Sequence, residues 1–279
     1  MHFLPMNELL RDAQKKRYAV PGFNVFNMES LQAVVEVAVE ERAPGIVMAE
    51  QRDLLYAGID YIYGMMQAAA CCIDVPVALH LDHGTDLGIV KKAIERGFSS
   101  VMIDGSQLPI AENIRVTKAA VELAHARGVS VEAELGHVGG AGGERMGEGF
   151  LTDPAVVGEF AASTGTDALA VAIGTAHGVY VETPKLDFPR LEAIAQSTDV
   201  PLVLHGGSGT PDDSLRRSIE LGICKINVGT DIRRAFLATT AELGRDAALD
   251  VRDVLTQAKT RMKEVIRDRI RVFGANDRV

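Results

Sequence analysis

The sequence predicts a single α/β domain over residues 1–279, a (β/α)8 TIM barrel with a C-terminal helical extension. Three observations predict it. Eight short apolar runs recur along the chain, each closing at or beside a glycine or a polar residue. Segments with apolar residues near i, i+3 and i+4 lie between them, the period of a helix with one buried face. No composition break or linker divides the chain, although its length alone would also fit two ordinary domains. Eight βα units in one unbroken stretch suit a closed barrel better than an open doubly wound sheet.

Taken in order, the predicted strands are Tyr18–Phe26 ("YAVPGFNVF"), Gly45–Gln51 ("GIVMAEQ"), Val75–His83 ("VPVALHLDH"), Ser100–Ser106 ("SVMIDGS"), Val129–Gly136 ("VSVEAELG"), Ala168–Gly174 ("ALAVAIG"), Pro201–Gly207 ("PLVLHGG") and Cys224–Thr230 ("CKINVGT"). Between them, "MESLQAVVEVAVEERAPG" and "LGIVKKAIERGF" read as helices with Gly just past the last turn, where a left-handed residue stops a helix. "HVGGAGGERMGEG" (137–149) holds six glycines in thirteen residues, too many for a regular element, and is expected to form a mobile loop above the barrel mouth. The region after Asp231 reads as helix plus a short extension, packed on the barrel or on a second subunit.

An apolar fraction of 47% with 24% charged residues is that of a soluble globular chain. The net charge of −9 argues against nucleic-acid binding, which needs clustered Lys and Arg to displace counterions from phosphates. The N-terminus carries no basic segment followed by an apolar core, and no stretch approaches about 18 unbroken apolar residues, so neither a membrane nor export is expected. Cys71, Cys72 and Cys224 make neither a disulfide framework nor a zinc knuckle, which fits a cytoplasmic setting.

In such a barrel the C-terminal ends of the strands meet at one mouth, so residues distant in sequence become neighbours. The polar residues at those ends are Asp82 and His83, Asp104, Glu132 and Glu134, His177, His205 and Asn227. Any one of the histidines could merely satisfy a local backbone group. Three together match a catalytic Zn²⁺, with neutral nitrogen ligands and an open fourth position. Asp104 and Glu134 are expected to hold a neighbouring metal position or to support the ligands. His80, deeper in its strand, is expected to be a hydrogen-bonded core residue. "HGGSG" (205–209) and "NVGT" (227–230) fall in the two loops where barrels commonly seat a phosphate, though each could equally be a tight turn.

These motifs, with "VPGFNV", "LHLDHG", "VEAELG", "GTAHGVY", "PKLDF", "LHGGSG" and "KINVGTD", resemble as a set the class II, zinc-dependent ketose-bisphosphate aldolases, which include fructose- and tagatose-bisphosphate aldolases. The resemblance runs over nearly the whole chain. It implies Asp82 as general acid and base, and His83, His177 and His205 as zinc ligands. It places phosphate contacts on Gly178, on Gly206, Gly207 and Ser208, and on Asn227, Val228, Gly229 and Thr230. It further implies a monovalent cation near the phosphate, a homodimer or homotetramer, and cleavage of a phosphorylated ketose to dihydroxyacetone phosphate and an aldehyde through a metal-stabilised enediolate. Glu144 is a weaker choice for handling the C–H proton.

Two positions do not match the family pattern. Val181 stands where Lys usually helps neutralise the phosphate, and Glu50 where a hydroxyl is common; both changes weaken an anion site. Gly229 replaces an Asp frequent in fructose-bisphosphate enzymes, and Arg233 sits where some relatives bind a second phosphate but reads equally as a helix-surface arginine. Glu50 could instead face solvent or Arg52, with Lys185 compensating. The alternatives carried forward are an aldolase of the same mechanism acting on a different ketose monophosphate, a Schiff-base aldolase using Lys225, and a silent sugar-phosphate-binding subunit.

Overall fold

A computed structural model describes residues 3–140 and 150–279. Glu144 and most of the glycine-rich segment expected to form a loop lie outside the described residues. All eight predicted runs become strands: β1 (Val20–Asn24), β2 (Gly45–Glu50), β3 (Val77–Gly84), β4 (Ser100–Ile103), β5 (Ser130–Leu135), β6 (Ala168–Val171), β7 (Leu202–Leu204) and β8 (Ile223–Val228). Each pairs in parallel with its neighbours, and β8 returns to β1 to close the barrel. Most strand residues are fully buried, as expected where helices cover the outer face and packed side chains fill the inner one.

The helices follow from local signals. α2 (Met28–Glu40) starts at Asn27, whose side chain accepts from the Ser30 N–H at 2.9 Å while the Ser30 hydroxyl accepts from the Asn27 N–H at 3.1 Å. α5 (Leu87–Arg96) is capped by Asp86 and stopped by Gly97 at φ +110°. α7 (Pro154–Thr164) and α8 (Phe188–Ser197) carry proline in the first turn behind capping aspartates, Asp153 and Asp187. α6 (Ile110–His125) and α9 (Asp212–Glu220) complete the βα units after β4 and β7. The β2–β3 connection holds two helices, α3 (Gln51–Ala57) and α4 (Ile59–Ala69), broken at Gly58 with φ +86°. α1 (Met6–Lys16) precedes the barrel; its Met6 N–H donates to Ser130 Oγ at 2.8 Å, and Met6, Leu10 and Ala13 are fully buried.

The C-terminal helical region is present as expected, as α10 (Thr230–Leu243) and α11 (Val251–Val272), with residues 273–279 forming the short extension. α11 packs on α10 and α2 and buries a stripe of Ala258, Met262, Ile266 and Ile270, all fully inaccessible and spaced by four. Beside the stripe, Lys259 and Lys263 reach Glu36 at 2.9 and 3.0 Å, Lys263 reaches Glu40 at 2.6 Å, and Arg271 reaches Glu41 at 2.8 Å. Among the described residues no helix is long and apolar enough to cross a membrane.

Strand β3 departs from regular geometry at the point that matters most. Its pairing with β4 shifts register between Leu81 and Gly84, and His83 adopts φ +49°. Consecutive residues of a regular strand face opposite ways. The bulge lets both Asp82 and His83 line the mouth. Gly84 has to be glycine, since a Cβ there would lie 2.6 Å from the Met102 carbonyl oxygen.

Two outcomes test the docking of α11. Ile266→Ala should cost about 2–5 kcal/mol in denaturant unfolding, lowering the midpoint at unchanged slope. The hydrogen bond from Lys263 holds the Glu40 carboxylate below its usual range, so its contribution is present above the unfolded carboxylate value and is lost as pH falls through the folded one. The difference in melting temperature between the wild type and Glu40→Gln should therefore close between neutral pH and about pH 3.

Candidate active site

The strand ends converge on a cavity of about 440 Å³. His83 and His177 line it and the fully buried His205 lies against them, their ligating nitrogens within 4.8 Å of one another and their rings in edge-to-face contact with centroids 4.7–5.6 Å apart. The partner of each ring's second nitrogen decides which nitrogen faces the cavity. His83 Nδ1 lies 2.8 Å from Asp104 Oδ2, His205 Nε2 lies 2.8 Å from Glu132 Oε1, and His177 Nδ1 lies 3.1 Å from the Val138 carbonyl. Each of these partners accepts a hydrogen bond, so those nitrogens carry the protons. His83 Nε2, His177 Nε2 and His205 Nδ1 are left to offer lone pairs to a common point.

Two of these atoms, His205 Nδ1 and His83 Nε2, are only 3.0 Å apart. Two lone pairs that close repel unless a positive centre lies between them. A proton can serve: burial works against charge on His83, but Asp82, the hydrogen bond to Asp104 and Glu134 outweigh it and lift the imidazolium to about 10. A metal ion serves better, since it also engages His177, which burial pushes down to about 3 and so keeps neutral. Glu134 completes a second grouping with His83 and Asp104. Its Oε1 accepts from the Val138 N–H at 3.0 Å, whereas its buried Oε2 has no hydrogen-bond partner among the described residues and lies 3.6 Å from His205 Nδ1. Burial, reinforced by Asp104, raises Glu134 to about 8. The donor set thus fits a divalent ion bound by the three imidazoles, with Glu134 and Asp104 beside it.

Below the histidines lies a buried charge. Glu132 is fully inaccessible, and Lys225 Nζ donates to its Oε2 at 2.7 Å. Burial opposes ionisation of Glu132, but Lys225 and His205 override it and hold the carboxylate at about 2. Lys225 points into the barrel as expected, yet it is spent on this pair and lies off the cavity wall. His80 is a core residue, also as expected: fully buried, with Nδ1 2.8 Å from Ser100 Oγ.

Asp82 is 2 % exposed and is held by two amide donors, Asn24 Nδ2 at 2.9 Å and Asn227 Nδ2 at 3.3 Å. Burial would raise it; His83, His205 and Lys225 outweigh burial and keep the carboxylate ionised, well below its usual range.

Of the residues expected at the phosphate, Gly178, Gly206, Ser208, Asn227, Gly229 and Thr230 line the cavity. Gly206, at φ +70°, would place a Cβ 2.5 Å from the Ala176 carbonyl oxygen, so no side chain fits there. α10 begins at Thr230, so the positive end of a fourteen-residue helix opens at this wall. Gly207 and Val228 are not on the wall. The Gly207 N–H is committed to the Asn227 carbonyl at 2.9 Å, and the Val228 side chain is buried in the core.

The departures from the family pattern resolve as geometry. Glu50 faces neither solvent nor Arg52 alone: it pairs with Arg52 and, at 2.6 Å, with Arg233. Arg233 is no ordinary surface arginine, since it lines the cavity and also reaches Asp53 at 3.2 Å. Val181 is 90 % exposed, and Lys185 is exposed and off the wall, so neither compensates. Sequence reasoning assigned no role to Asn24, His137, Val138 or Gly140, which all line the cavity. Asn24 was within reach of the strand-end argument, being the last residue of β1. His137, 3.0 Å from Ser106 Oγ, carried no such mark because it follows β5 in the glycine-rich segment.

Residues 4–278 match the model of the family described as fructose-bisphosphate aldolase class-II. Among solved structures, the chain is similar to the YdjI aldolase of Escherichia coli K12 at 34 % identity and TM-score 0.89, with 99 % of this chain and 98 % of that one covered. A Coccidioides immitis protein provisionally named a fructose-1,6-bisphosphate aldolase shares 29 % identity at TM-score 0.89, covering 97 % and 96 %. The fold also matches the fructose-bisphosphate aldolase of Campylobacter jejuni at 21 % identity and TM-score 0.85, covering 100 % and 97 %.

The Lys225–Glu132–His205 chain predicts a metal phenotype for a residue remote from the cavity. Lys225→Met should weaken divalent-metal affinity about 10–100-fold, because Glu132 loses its charge partner and with it the hold on the His205 tautomer. Competition with a chromophoric chelator measures this, with circular dichroism checking that the barrel is intact.

Proposed function

The chain belongs to the class II fructose-bisphosphate aldolase family, and on that premise we propose that it is a zinc-dependent aldolase, reversibly cleaving a phosphorylated ketose to dihydroxyacetone phosphate and an aldehyde. The observation that carries the reading is the set of three imidazole nitrogens turned to one point beside the buried, ionised Asp82.

When bound, zinc supplies Lewis-acid polarisation of the substrate oxygens, lowering the cost of negative charge on the three-carbon fragment. His83, His177 and His205 would hold it, with Glu134 and Asp104 adjacent. Asp82 takes the proton from the hydroxyl of the cleaved carbon and returns it in condensation. Asn24 and Asn227 keep its two oxygens in place, so the carboxylate is positioned before substrate arrives. The phosphate is received by Gly178, Gly206, Ser208, Gly229 and Thr230, where backbone N–H groups and the start of α10 meet its charge without a lysine. Gly207 and Val228 shape that cradle through backbone and packing rather than by contact.

The reading includes a homo-oligomer, supported by Leu55, Tyr56 and Tyr61, which stand 75 %, 83 % and 74 % exposed along α3 and α4. A lysine mechanism is disfavoured by the burial of Lys225 in its ion pair.

Cleavage of a ketose phosphate should disappear on chelation and return with zinc; turnover indifferent to chelation, or borohydride trapping of a Lys225 adduct, would reject the proposal. Asp82→Asn should lower kcat about 10²–10⁴-fold while zinc still binds, which separates an enzyme from a silent binding subunit.

A further inference from the structure

We infer that the cavity takes a sugar carrying one phosphoryl group, and that Glu50 turns away a second one at the β1–β2 end. The inference rests on the aldolase reading and deepens it by naming the substrate class.

The two ends of the cavity differ in charge. On the β6–β8 side the wall residues Gly178, Gly206, Ser208, Gly229 and Thr230 include no carboxylate, and the first turn of α10 opens there, its one acid, Asp231, lying off this wall and accepting from the Gly209 N–H at 3.3 Å. That end suits an anion. On the β1–β2 side the wall carries Glu50, Arg52 and Arg233, with Asp53 behind them. Glu50 Oε1 accepts from Arg233 Nη2 at 2.6 Å and its Oε2 pairs with Arg52, while Asp53 Oδ2 accepts from the same Arg233 nitrogen at 3.2 Å. Two guanidinium groups thus meet two carboxylates, and the charges cancel.

The cluster is held in place by the fold. Glu50 is the last residue of β2, and its N–H donates to Asp53 Oδ2 at 3.3 Å at the start of α3. Arg233 reaches across from α10 past Gly229, where a Cβ would lie 3.3 Å from Arg233 Nη1 and 2.6 Å from Asn24 Oδ1. Glu50, Arg233 and Asp53 are 17 %, 23 % and 10 % exposed at their side chains, so solvent does little to screen them, whereas Arg52 is 70 % exposed and the outer, screened member of the cluster.

A phosphate dianion placed here would lose hydration and lie against Glu50 with no net positive charge to offset either cost. A sugar hydroxyl meets the opposite situation, since it can donate to the carboxylate and accept from a guanidinium at once. The end beyond Asp82 therefore fits a hydroxyl-bearing, phosphate-free aldehyde portion, and specificity arises from a repulsive element as well as an attractive one.

Calorimetric titration of the zinc-loaded protein with non-cleavable hexitol 1-phosphates and hexitol 1,6-bisphosphates, in the glucitol and galactitol series, tests this apart from turnover. A monophosphate should bind about tenfold tighter than the matching bisphosphate. Glu50→Ser, which leaves Arg52 and Arg233 facing Asp53 alone, should erase or reverse that ratio, and the isosteric Glu50→Gln should do the same if the serine variant folds poorly. Tighter binding of the bisphosphate by the wild type, a ratio unmoved by both variants, or binding of neither ligand would overturn the inference. Parallel assay of fructose 1-phosphate and fructose 1,6-bisphosphate keeps the two failures distinct: a wild type that shows the binding ratio but cleaves no ketose phosphate counts against the aldolase reading and not against the specificity.

Discussion

One ionised carboxylate, Glu132, sits at full burial in the barrel, and the geometry of the site depends on its charge. Isolated, such a group would take up a proton to escape the low dielectric. Lys225 at 2.7 Å prevents that, and the charge so fixed determines which nitrogen of His205 carries hydrogen. The lone pair of His205 Nδ1 then faces that of His83 Nε2 at 3.0 Å, a pairing that only a positive centre relieves. A buried ion pair is weak evidence of stability; here it orients the His205 imidazole.

The second constraint is backbone geometry at the mouth. A regular β3 would send Asp82 and His83 to opposite faces. The register shift after Leu81 and the left-handed backbone of His83 bring the Asp82 carboxylate and the His83 imidazole to one cavity. Strain of this kind, of order 1–3 kcal/mol per residue, persists where surrounding structure over-determines it. The neighbouring barrel strands and the close packing of Gly84 on Met102 supply that support. Gly206 is a second such place, where only glycine lets the β7 loop pass the Ala176 carbonyl.

Charge distribution then divides the cavity. One wall offers backbone donors and a helix start; the other offers two arginines already matched by two acids. In a protein of net charge −9 any attraction of that first wall for an anion comes from local dipoles rather than from an overall field. The same side chain that looked anomalous as a strand-end carboxylate, Glu50, is thereby part of how the site discriminates.

Much of this was legible in the sequence because it depends on local pattern. Eight apolar runs separated by helical periods determine a barrel by hydrophobic burial alone, and a barrel necessarily brings strand ends together, so Asp82, His83, His177, His205, Glu134 and Asn227 could be placed at one mouth. Capping residues and stop glycines likewise act within a few positions of themselves. What the tertiary structure alone decided were relations between residues with no common local signal: the bulge that turns His83, the tautomer imposed on His205 by Glu132, the burial of Lys225 in an ion pair, and the reach of Arg233 to Glu50 across 183 positions. Each depends on a distance of a few ångströms between distant segments, and electrostatic and hydrogen-bond energies change over that scale while the apolar pattern does not.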